Sequence, residues 1–83
     1  LRVVPTHNLH THWAASLRAA RHLANLKQVE LAALAGVTQQ RISSWESGIA
    51  IPREDARIRL ARALNTTVAE LFPYPNDDEG EAA

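Results

Sequence analysis

Apolar residues recur along the chain at helical rather than strand spacing. Trp13, Leu17, Ala20 and Ala24 fall three or four residues apart and predict a first helix starting near Thr11, a good acceptor for free helix amides. Asn25 tolerates left-handed backbone and predicts the stop. Leu31, Ala32 and Ala35 form the inner face of a second helix over residues 28–35, which Gly36 ends. Thr38 caps a third helix over 39–47, and Gly48 stops it. At about 100° per residue, Ile42 and Trp45 share one face of that helix and Gln40, Ser44 and Ser47 the opposite one, with Gln39, Arg41 and Ser43 on the flanks. Its outward face is therefore uncharged but rich in hydrogen-bonding groups, where a merely solvated face more often carries Lys and Glu.

Pro52 is expected to open a fourth helix, a position where its missing N–H costs nothing. Glu54 and Asp55 in the first turn and Arg59 and Arg62 towards the end suit the helix dipole, and Ile58, Ala61 and Leu64 are its expected core stripe. Asn65 is a second stop. Thr67 and Glu70 have the spacing of a capping box for a short fifth helix ending near Phe72. The one strand-like run, Arg2-Val3-Val4, is stopped by Pro5 and has no partner, so the expected fold is all-α with five helices. The expected organisation is an arm over residues 1–10, ordered only when something binds it, a domain over 11–73, and an acidic disordered tail over 74–83.

The chain has 83 residues, 46% hydrophobic and 22% charged, which suits one small globular domain. The absence of Cys rules out disulfides and thiolate zinc sites. No apolar run reaches the roughly 18 residues of a membrane span and no signal peptide opens the chain. The expectation is a cytoplasmic protein with no membrane partner. With Leu1 first and no initiator Met, a processed, truncated or alternatively started chain is the expectation. The formal net charge of zero hides an asymmetry: residues 1–72 carry all nine basic residues and five acids, net +4, and the last eleven residues carry −4. A basic body fits an anionic partner, although an imbalance of this size is also common in ordinary soluble domains.

The most informative spacing lies between Gln28 and Ser47. Ala32 is small enough for a second helix to pack closely, Gly36 supplies the positive φ of a sharp corner, Val37 plugs that corner, and Ile42 and Trp45 anchor the next helix. Two short helices locked at a steep angle, the second held outward, are the arrangement of a DNA-binding helix-turn-helix. The run from Leu17 to Phe72 resembles the λ-repressor-like helix-turn-helix family of Cro/C1 or xenobiotic-response-element type. The resemblance is carried by Leu17-Arg18-Ala19-Ala20-Arg21, Leu26 to Ala32, Gly36 to Ser43, Trp45-Glu46-Ser47-Gly48, Pro52, Ala61 to Leu64 and Glu70-Leu71-Phe72. It covers about two thirds of the chain. Thr38-Gln39-Gln40 is similar to the recognition-helix start of lambdoid phage repressors.

The resemblance implies that Gln39 and Gln40 enter the major groove first, where a Gln amide matches adenine N7 and N6 and is worth about 1–3 kcal/mol of discrimination. Thr38, Ser43 and Ser44 are short enough to let the helix approach base edges. Arg41 suits guanine or a phosphate, and the residues do not choose between them. Gln28 matches the position at the start of the second helix that lies against the DNA backbone. Lys27 replaces the usual Ser or Thr cap and adds a cation close by, and Arg53 is the other phosphate candidate. For Lys27 and Arg53 a solvated surface role is the competing account. Arg21 and Glu46 occupy the positions of an ion pair that ties the first helix to the recognition helix.

Two positions depart from the family pattern. The loop after Gly48 is usually basic but reads Ile49-Ala50-Ile51, which either packs into the domain or forms a dimer or partner surface. The residue after Ala56 is usually apolar but is Arg57, which implies a less buried face or a side chain that snorkels outward. His7, His10 and His12 lie close together but lack further metal ligands, so no metal or other cofactor is expected. No nucleophile–base pair, carboxylate pair or phosphate loop has a supporting scaffold, so no enzyme is expected. The function implied is sequence-specific binding of a double-stranded DNA operator by a small transcriptional regulator of repressor type, as a homodimer on a near-palindromic site with half-sites about 34 Å apart. The alternative is a protein-interaction module on the same fold, a bridging coactivator or an antitoxin.

Overall fold

A computed structural model describes residues 6–74, with side chains from Leu9 onward. It contains five helices: α1 (Thr6–Leu23), α2 (Gln28–Ala35), α3 (Gln39–Glu46), α4 (Glu54–Ala63) and α5 (Val68–Leu71). Among the described residues there is no strand.

The first helix starts at Thr6 rather than near Thr11, so residues 6–10 of the expected arm are helical. The reason is Leu9. It stands one turn before Trp13, extends the stripe that continues through Leu17, and packs against the core. Residues 1–5 of the arm, and 75–83 of the expected tail, lie outside the described residues.

Three helices end in the same way. Asn25 (φ 60°), Gly36 (φ 72°) and Asn65 (φ 56°) adopt left-handed backbone. In each case the next amide reaches back five residues, Leu26 N to Arg21 O at 3.2 Å, Val37 N to Ala32 O at 3.0 Å and Thr66 N to Ala61 O at 2.9 Å. These bonds satisfy carbonyls that the helix leaves open and set the direction of the chain into the following element.

Two expectations for α4 are corrected. Pro52 does not open the helix: Arg53 is the N-cap residue and Glu54 the first helical one. Pro52 is buried, and its carbonyl accepts a 2.7 Å bond from Arg57 Nη1. Of the expected core stripe Ile58-Ala61-Leu64, Ala61 and Leu64 are in the core and Ile58 is not. Ala56, Leu60 and Ala61 are buried, Ala63 and Leu64 pack beside them, and Ile58 is exposed. Ala56, Leu60, Ala63 and Leu64 follow the i, i+4, i+7, i+8 pattern of a helix face, with Ala61 beside them, and the face begins with an alanine too small to stand out against Ile58.

Helix α1 packs on α3 and α5, α2 on α3 and α4, and α4 on α5. The shared core centres on Leu17, Leu31, Ile42, Leu60 and Leu71. At one end Trp13 lies edge-on to both Phe72 and Tyr74, each 5.3 Å between ring centroids, and its indole N–H donates to Pro73 O at 2.7 Å. Ser16 Oγ donates to Leu71 O, which ties the end of α5 to α1. Arg57 does not snorkel outward. Its guanidinium lies 5.0 Å from the Trp13 ring, so the departure at this position is absorbed by a cation–π contact and the bond to Pro52.

Candidate nucleic-acid interface

Helix α3 is held as a rod with one buried side. Ile42 is fully buried, and Trp45 and Glu46 nearly so. Thr38 caps its start by accepting from Arg41 N at 3.2 Å. At its end the Ser44 carbonyl accepts Ile49 N at 3.0 Å, which folds the following loop back against the helix. The side turned away from the core carries Gln39, Gln40, Arg41 and Ser43, all exposed, with Ser44 half-buried beneath the loop. Thr38 is exposed at the tip. At the neighbouring start of α2, Lys27 is exposed and Gln28 half-buried, and Arg53 is exposed ahead of α4. Lys27 contributes no side-chain cap to α2. Glu30 does that work, taking the Lys27 amide at 2.8 Å.

The buried Glu46 organises this end of the molecule. Arg21 grips its carboxylate with two bonds, Nε to Oε2 at 2.7 Å and Nη2 to Oε1 at 2.9 Å, and uses Nη1 on Leu26 O at 2.9 Å. Gln28 Nε2 donates to Glu46 Oε1 at 3.1 Å. Its own Oε1 accepts from Gln39 Nε2 at 3.4 Å, a long bond that still orients the Gln39 amide. Glu46 therefore connects α1, the start of α2 and the tip of α3. Burial alone would raise its pKa. The hydrogen bonds from Arg21 and Gln28 and the charges of Arg21 and Arg18 outweigh it, so the carboxyl sits below its ordinary range. The same pairing raises Arg21.

Sequence reasoning missed Arg18. Its Nη1 donates to the Glu46 carbonyl at 2.6 Å, so a cation closes the open C-terminal end of α3. The signal was present: Arg18 lies three residues before Arg21, on the same face of α1. The tether between Gln28 and Gln39 was also missed. Eleven residues separate them, and only the angle between α2 and α3 brings them together.

The loop after Gly48 divides. Ala50 and Ile51 pack against the core, while Ile49 is 75% exposed. The side chain of His7 lies outside the described residues. Among the described residues no three His, Asp or Glu gather as a metal site, and no helix is long and apolar enough to cross a membrane.

Comparison with known proteins agrees with this geometry. The helix-turn-helix family profile matches residues 17–71. The chain belongs to that family, in its λ-repressor-like, Cro/C1 branch of DNA-binding transcription regulators. A 26 kDa repressor protein of Escherichia phage HK022 is 44% identical over 52 residues, which cover 63% of this chain and 22% of the repressor. The chain thus spans about a fifth of that relative's length. The crystal structure of a hypothetical transcription factor, NHTF, from Neisseria superposes with a TM-score of 0.75 over 98% of this chain and 94% of the other, at 21% identity. That likeness establishes the fold.

Proposed function

We propose that the protein is a sequence-specific binder of double-stranded DNA that represses transcription, reading the major groove with α3. The observation that carries this reading is the exposure of Gln39 and Gln40 at the tip of a helix whose opposite side is buried through Ile42, Trp45 and Glu46. A rigid helix with uncovered amides at its leading end is what direct readout of adenine requires. In this reading Gln39 and Gln40 contact bases, and Thr38, Ser43 and Ser44 allow close approach. Arg41 takes a guanine or a phosphate, and Lys27, Gln28 and Arg53 hold the backbone. Arg21 and Glu46 keep α3 at the angle that presents its tip. The similarity to a phage repressor supports the repressor assignment.

One such helix covers few base pairs, so the active form is a homodimer on a near-palindromic site, acting in the cytoplasm on nucleoid DNA. Its work is binding rather than catalysis. A protein-docking use of the fold draws on Ile49, but the outer face of α3 has no aromatic anchor of the kind protein interfaces favour.

Selection of bound duplexes from a random library tests the reading. The parent chain should recover a two-fold symmetric site. Gln39→Ala and Gln40→Ala should each lose about 1–3 kcal/mol of discrimination at one base pair per half-site. Binding of both variants indistinguishable from the parent would rule out readout by α3.

A further inference from the structure

Six of the seven arginines among the described residues divide into two groups, and the seventh, Arg62, lies in the last turn of α4 outside both. Arg18, Arg21 and Arg57 are spent on internal contacts, with Glu46 and with Pro52 and Trp13. The guanidiniums of Arg41, Arg53 and Arg59 have no hydrogen-bond or ion-pair partner among the described residues, and all three side chains line one open groove. Its walls are the flank of α3, at Gln40, Arg41 and Ser44, and α4 from its cap to its middle, at Arg53, Asp55 and Arg59. The corner of the helix-turn-helix, Gly36 to Thr38, closes one end. Three cations thus face one carboxylate, that of Asp55.

Arg59 is the unexplained member. The expected match of Arg59 to the helix dipole is corrected here, because the effect is confined to the last turn, where Arg62 is the basic residue of α4. Asp55 stands one turn earlier at ion-pair spacing, yet no ion pair joins them. Instead the side chain reaches across to the α2–α3 corner, with Nη1 3.9 Å from where a Cβ on Gly36 would stand. Three guanidiniums that form no ion pair with a carboxylate, along a groove continuous with the exposed tip of α3, form a surface for a row of phosphates.

We infer that this groove is a second phosphate-binding track, and that Arg59, together with Arg41 and Arg53, holds the DNA backbone running beside α3. The inference rests on the DNA-binding reading and adds to it a contact from the middle of α4. Each phosphate neutralised by a side chain releases condensed counterions, so the contact is visible in salt dependence.

The test measures the affinity of the full chain, across a salt series, for the duplex selected by the parent and for a random-sequence duplex of equal length. Arg59→Ala should reduce the slope of log K against log salt by about 1 on both duplexes, with base preference unchanged. Arg59→Lys should keep the parent slope, since the charge remains. Arg62→Ala, on the same helix but outside the groove, should also keep it. An Arg59→Ala slope equal to the parent's overturns the inference, and a lowered melting temperature with that unchanged slope would assign Arg59 a packing role at Gly36. A parent chain that selects no duplex overturns the DNA-binding reading, and the track with it. A parent that selects a site while Arg59→Ala binds it with full salt dependence overturns the track alone.

Discussion

Arg21 on α1 and Glu46 on α3 face each other through two parallel hydrogen bonds of 2.7 and 2.9 Å, with Glu46 only 4% exposed. A paired, buried carboxylate is not in itself a large source of stability, because both ions give up hydration to meet. Breaking the pair is costly, because one charge is then stranded. Glu46→Ala should destabilise the domain by about 3–5 kcal/mol. Thermal unfolding followed by circular dichroism checks this, at about 4–8 °C per kcal/mol for a domain of this size. Glu46→Ala melting with the parent would show that the pair does not hold α3.

The same carboxylate predicts an acid-sensitive component of stability. Its folded pKa lies below the ordinary value, so the unfolded chain binds the proton more tightly than the folded one. Its contribution is complete above the ordinary carboxyl range, near pH 4.3, and is lost as pH falls from there through the folded pKa. Urea midpoints measured between pH 7 and pH 3 should decline more steeply at the acid end for the parent than for Glu46→Gln, which has no proton to take up there.

Arg18 closes the end of α3 from outside the core. Arg18→Ala should cost about 1 kcal/mol, well below the Glu46 effect, since water can replace part of an exposed bond. Arg18→Lys should restore part of the loss. Amide exchange of residues 43–47 reports on the end of the helix directly and should quicken in Arg18→Ala.

Gln28 bridges the buried pair to the tip of α3. On the proposed reading, Gln28→Ala should weaken DNA binding and relax preference at the base pair assigned to Gln39, while preference at the one assigned to Gln40 stays sharp, because Gln40 is not part of that hydrogen-bond chain. Duplex selection with the variant separates the two positions. Equal relaxation at both, or none, contradicts an orienting role for Gln28.

Trp13 holds the end of the domain through Phe72, Pro73, Tyr74 and Arg57. Trp13→Ala should cost about 3–5 kcal/mol through the cavity it leaves. Trp13→Phe retains most of the packing but loses the bond to Pro73 and should cost about 1 kcal/mol. Denaturant midpoints of the two variants distinguish packing from the hydrogen bond.

The helices and their ends could be read in the residues because the interactions that set them are local. Thr38 reaches an amide three residues on, and Asn25, Gly36 and Asn65 stop helices through their own backbone preference. The exposed polar face of α3 followed from its helical spacing. Spacing places Ile58 wrongly in the α4 stripe because side-chain size does not tell which face α2 and α5 cover, and it starts α1 too late because Leu9 gains only when it meets the core. The reach of Arg18 to the end of α3, the Gln28–Gln39 bond, the turn of Arg57 onto Trp13 and the gathering of Arg41, Arg53 and Arg59 along one groove depend on the angles between helices. Those angles arise from packing among residues far apart in the chain, and a spacing rule confined to a few neighbours does not contain them.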